Sequence, residues 1–152
     1  MDGYTLLKFV HVLSAIVAVG FNASYGFWLA RAAREPQTLP FVLSTISLVD
    51  STANGFYGLL LVTGLAMVFV GRLSLTTFWI GAALVLYLLA VIVGIWLYRP
   101  VLRRQRAALA ASGPASAEYV GLARRGQTLG IATAVIVIAI VFLMVTKPNP
   151  FA

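Results

Sequence analysis

The chain has 152 residues, of which 61% are hydrophobic and only 10% charged, with a formal net charge of +7 and no cysteine. A soluble domain carries about a quarter of its residues as charged groups, so this composition, gathered into apolar blocks of spanning length, excludes an ordinary soluble protein and indicates an integral membrane one. The lack of cysteine excludes disulfides, cysteine-ligated metals and thiol catalysis, and the basic balance flanks apolar blocks, as membrane topology requires, rather than forming a nucleic-acid face.

The pattern predicts an all-α membrane protein. It is an antiparallel bundle of four transmembrane helices at about 5–30, 41–70, 77–98 and 128–146, a single domain over residues 1–152 with a cytoplasmic connection at 99–127. The first block opens on an acid, Asp2, before its one lysine and closes on Trp28, Arg31 and Arg34, which reads as a stop at the cytoplasmic face rather than a cleaved signal. Along it, Tyr4, Lys8, His11, Ala15, Ala18, Asn22 and Tyr25 recur at steps of three and four, which places them on one stripe. The second block carries Ser47, Ser51, Asn54, Gly58 and Gly64 on one face, with Asp50 and Tyr57 at its edge. The third carries Ala83, Tyr87, Ala90 and Gly94.

The long connection reads as structured. Helix three continues past Pro100 to about Ala111, "SGPAS" turns the chain, and Ser116 caps a new helix with Glu118 in its first turn. The expected result is a basic helical hairpin whose arginines favour anionic inner-leaflet lipids. The fourth block carries Gly126, Gly130, Ala134 and Met144 on its packing face. Small residues promote close helix contacts in membranes, so Gly64, Gly94 and Gly130 are expected at such contacts, in a homo-oligomer or within a larger membrane complex.

Orientation follows from the basic residues. Arg31, Arg34, Arg99, Arg103, Arg104, Arg106, Arg124 and Arg125 lie at the first and third connections, against Lys8, Arg72 and Lys147 on the other side. The positive-inside rule then puts both termini on the outer, periplasmic side of a bacterial inner membrane. His11 and Asn22 are separated by about 16 Å along helix one. Two polar clusters result: an outer one of Lys8 and His11, and an inner one of Asn22, Tyr25, Asp50, Ser51, Asn54 and Tyr57.

Ionisable groups inside a membrane are costly and mark sites by default. Lys8 stands near the outer end and can snorkel to the headgroups. Asp50 stands near the inner end, within reach of Arg31 or Arg34. The inner cluster is read as register-fixing hydrogen bonds between helices one and two. His11 is deeper and short, so it needs a partner or a ligand. An interhelical hydrogen bond satisfies it. So does a haem iron, with Met144 or nothing in the sixth position and Lys8 at a propionate. A copper site with Met144 and a proton relay are further alternatives. No hydrolase, kinase or dinucleotide motif is present, and no catalytic residues are assigned, so the reading leans away from an enzyme.

The stretch "LLKFVHVLSA", with its Lys-x-x-His, resembles the first helix of HemJ-type protoporphyrinogen oxidases and of the related CopD-like membrane proteins. With "TGLAM", "FWI" followed by "LVLYLLA", Asp50 and the closing "MVTKP", the whole chain looks closer still to a family of small integral membrane proteins of unknown function. The HemJ resemblance implies that His11 is a haem b ligand and that Lys8 matches the lysine before it. The third-helix lysine of those enzymes has no counterpart in residues 77–98, so the oxidase reaction does not carry over. The reading is an inner-membrane protein binding haem b at His11 in a redox-assisting or non-catalytic role. The alternative is an accessory or scaffold subunit without its own cofactor.

Overall fold

A computed structural model describes residues 2–148. It is all-helical, and four helical stretches are long and apolar enough to cross a membrane. Helix α1 (Gly3–Ala32) is followed by a 3-10 turn at Pro36–Thr38 and helix α2 (Leu39–Val70). Helix α3 (Phe78–Ile92) runs through a π-helical turn (Val93–Tyr98) into α4 (Arg99–Ser112), and α5 (Ala117–Thr146) closes the chain.

The ends of the helices have local causes. Asp2 caps α1, its carboxylate accepting from the Thr5 amide at 2.7 Å. Those hydrogen bonds from Thr5 hold the Asp2 carboxyl below its usual range. At the start of α5 the Tyr119 amide donates to the Ser116 hydroxyl at 3.3 Å, with Glu118 in the first turn where the helix dipole favours it. Gly113, at φ +77°, makes the turn between α4 and α5 in a conformation that a Cβ would oppose.

The third helix does not stop before Pro100. A proline inside a helix lacks its N–H, and its ring collides with the carbonyl four residues back, here Trp96. The wider π turn takes up this conflict: the Arg99 amide reaches back five residues to the Gly94 carbonyl. The stretch from Phe78 to Ser112 is therefore one rod of 35 residues, about 52 Å long against a hydrocarbon core of about 30 Å. The connection drawn at 99–127 from the sequence is helical apart from the turn at 113–116, being α4 and the opening of α5.

The helices pack in two pairs, α1 with α2 and α3 with α5, and α4 lies along α5. At one end Tyr4 of α1 rests against Gly71 just past α2, and the Lys147 ammonium stands 5.5 Å over the Trp79 ring. At the other, arginine-rich end α1, α2, α4 and α5 converge. There Leu43 and Ile46 are fully buried, packed with Ala32, Leu102, Ala108 and Tyr119. The buried cluster lies where α4 packs against α2, and along the spans Ser14, Ala18, Ala53, Thr63, Ile80 and Ala83 are buried as well. Along the spans Ile16, Val62, Val85, Val135 and Ile138 point outward, as side chains in contact with lipid do.

Candidate functional site

His11 sits on α1 facing Thr63 and Gly64 of α2. Its Nδ1 is 3.0 Å from the Thr63 hydroxyl. That hydroxyl is buried and gives its own hydrogen back to the Leu59 carbonyl at 2.7 Å. The Thr63 oxygen is then the acceptor, and the His11 proton is assigned to Nδ1. Gly64 makes room: a Cβ there would stand 3.0 Å from the His11 Cε1 and 3.5 Å from Nδ1. The other nitrogen, Nε2, is left with its lone pair and has no partner among the described residues. A histidine that donates from one nitrogen to a fixed acceptor, and so presents the other, has the arrangement found at metal ligands.

The second cluster forms a set of fasteners. The Asn22 amide donates to the Tyr57 hydroxyl at 2.7 Å and to the Ala18 carbonyl at 3.2 Å, joining α1 to α2. The Tyr87 hydroxyl donates to the Tyr57 carbonyl at 2.9 Å, joining α3 to α2. Asp50 accepts from Arg99 at 3.3 Å, and its other contact is local, from Asn54 one turn on at 3.1 Å. Asp50 thus pairs with an arginine of α4 and not with Arg31 or Arg34. Arg31 is held by Glu35 on its own side of the turn. The register bond between α1 and α2 is carried by Asn22 and Tyr57, while Asn54 and Asp50 stay on one helix. Tyr25 is buried beside Trp28, its ring centroid 6.1 Å away, and its hydroxyl has no hydrogen-bond partner among the described residues.

This division has a measurable consequence. In a double-mutant cycle in detergent, Asn22→Ala and Tyr57→Phe should couple by about 0.6 to 2 kcal/mol, the range of a hydrogen bond between membrane helices. Asn22→Ala with Asn54→Ala should be additive, because those side chains share no bond. Additive losses for the first pair would contradict the assignment.

The other residues singled out from sequence are placed differently. Lys8 is exposed on α1, one turn before His11. Met144 is 37% exposed near the end of α5. Around Gly94 and Gly130 the space where a Cβ would stand is open, so of the three glycines expected at close contacts only Gly64 has a neighbour there. Thr63 and Arg99 were missed as partners. Thr63 is the lone hydroxyl in "LLLVTGLAMVFV", residues 59–70, a hint that a buried polar contact sits there. Arg99 follows Trp96 and Tyr98, aromatic residues of the kind that anchor a helix at the membrane interface, and Asp50 lies near the inner end of its own block.

A family profile described as predicted integral membrane protein (DUF2269) matches residues 5–148. No curated protein and no solved structure matches the chain. The matched stretch runs from the first turns of α1 to just past the end of α5 and takes in all four apolar helices, and the chain belongs to the DUF2269 family of predicted integral membrane proteins.

Proposed function

We propose that this protein is a haem b-binding membrane protein in which the Nε2 of His11 is the axial ligand, in a redox-assisting or non-catalytic role. The observation that carries the reading is the partnerless Nε2 held out by the bond from Nδ1 to Thr63. A neutral imidazole fixed in this tautomer suits iron, and the acceptor behind it raises its basicity. The group would supply a one-electron couple when bound. Lys8, exposed one turn away, would hold a propionate, and Met144 of α5 would be the candidate for a second ligand. Comparing the absorption spectra of wild-type protein and His11→Ala, both purified from haem-sufficient cells, tests it: a Soret band present in the first and missing from the second is the expected result.

A second reading rests on the same nitrogen. An imidazole Nε2 inside a bilayer also accepts a hydrogen bond from a donor on another subunit, which makes the protein an accessory or scaffold component without a cofactor of its own. A colourless protein that co-purifies with a membrane partner, and loses it on His11→Ala, would favour this reading.

In either case we place the chain in a bacterial inner membrane with both termini on the periplasmic side. The arginines at the first and third connections are the reason. Reporters fused at the C-terminus and near Ser112 should give periplasmic and cytoplasmic signals respectively. A cytoplasmic signal from the C-terminus would contradict the orientation.

A further inference from the structure

The arginine-rich end holds a feature that neither the His11 site nor the fasteners use. Between the first half of α2 and α4 lies a cleft made of two adjoining cavities, of about 300 and 390 Å³. Arg103 and Arg106 line both. Ser47, Asp50, Ser51 and Arg99 line the first. The second is floored by apolar side chains, among them Leu43 and Leu109.

The arginines recur at positions 99, 103 and 106, so they lie along one face of α4. The opposite face, with Val101, Gln105 and Ala108, is buried. The one carboxylate in the cleft, Asp50, is taken by Arg99. Arg103 and Arg106 have no ion pair or hydrogen bond among the described residues, and the hydroxyls of Ser47 and Ser51 have none either. Two unpaired guanidiniums and two free hydroxyls thus converge on one recess, with no unpaired acidic group to oppose an anion. The planar guanidinium fork matches two oxygens of a phosphate at once, and serine hydroxyls complete the shell as donors.

We infer that this cleft is a binding site for a phosphate group, held by Arg103 and Arg106 with Ser47 and Ser51. Two sources share this chemistry: the headgroup of an anionic phospholipid, for which the depth just beyond the Trp96 and Tyr98 anchors is suitable, and free phosphate. The inference does not depend on haem at His11, which lies towards the other end of α1.

The test uses the full chain in a neutral detergent, with thermal unfolding followed against added short-chain phosphatidylglycerol, short-chain phosphatidylcholine or inorganic phosphate. The paired variant Arg103→Gln/Arg106→Gln is compared with Arg124→Gln/Arg125→Gln, which removes the same charge from residues lining neither cavity. Phosphatidylglycerol should raise the unfolding temperature of the wild type and phosphatidylcholine should not. The midpoint concentration should rise by about tenfold or more in the cleft variant and stay within about twofold of wild type in the other. Protection by phosphatidylglycerol without protection by inorganic phosphate assigns the site to lipid; protection by inorganic phosphate assigns it to the free anion, and both support a phosphate site. No protection by either anion, or an equal loss in the two paired variants, would overturn it. The Ser47→Ala/Ser51→Ala variant keeps the charge unchanged and should weaken binding in the same direction, which separates a built site from general attraction to positive charge.

Discussion

Gly64→Val should destabilise the protein by about 1 to 3 kcal/mol, the usual cost of forcing extra carbons into a filled space. The first added carbon already stands 3.0 Å from the His11 Cε1, closer than carbon atoms normally approach without one of them moving. The imidazole cannot give way freely, since its Nδ1 is tied to Thr63, and Thr63 is in turn tied to its own helix. Valine adds two more carbons, so either that bond breaks or α1 and α2 separate there. Gly64→Ala should be milder, as a shift of a few tenths of an ångström relieves it. Gly58→Val and Gly130→Val serve as controls, for a Cβ at those positions meets nothing within 4 Å. Unfolding of the four variants in the same detergent measures this directly. A Gly64→Val protein as stable as Gly130→Val would mean that α1 and α2 do not meet at His11 as described.

His11→Ala should separate ligand binding from folding. It removes the proposed iron ligand outright, so bound haem should fall to background. It should cost the fold only about 1 kcal/mol, because the Thr63 hydroxyl keeps its bond to the Leu59 carbonyl and is not stranded. Lys8→Ala should leave the haem in place with affinity lowered by about tenfold, the scale of one charge-assisted bond at an exposed position. Haem content per chain, measured by pyridine haemochrome assay alongside thermal stability, reads both effects. An equal collapse of stability and haem content in His11→Ala would point to a structural histidine. Unchanged haem content would place the ligand elsewhere.

The parts of the molecule that follow a repeating physical rule were legible in the sequence. Four apolar stretches of spanning length require helices because a lipid core leaves no other way to pair the backbone, and the caps at Ser116 and the turn at Gly113 are local chemistry. The continuation through Pro100 was readable from the basic residues that follow it, but the π turn that permits it was not, since it depends on how the backbone relieves the conflict between Pro100 and the Trp96 carbonyl. The polar clusters were legible as sets and not as pairs. Spacing put Asn22, Tyr57, Asp50 and Asn54 at one depth, yet which atom meets which depends on helix rotation and on how the two helical pairs meet. That is why Arg99, from a distant stretch of the chain, took Asp50 in place of the nearer Arg31. Thr63 was hidden for a similar reason. It lies off the stripe that the serines, Asn54 and Gly58 of α2 describe, and it faces His11 only because α1 and α2 pack closely beside Gly64.

The proposed haem site turns on a single imidazole nitrogen, Nε2 of His11, behind which Nδ1 is bonded to Thr63. The absorption spectrum of the wild-type protein, purified in mild detergent from haem-sufficient cells and then titrated with haemin, tests it most directly. A Soret band is expected on purification, or one that appears on titration and saturates at about one haem per chain. A wild-type protein that is colourless as isolated and takes up no added haemin would contradict it.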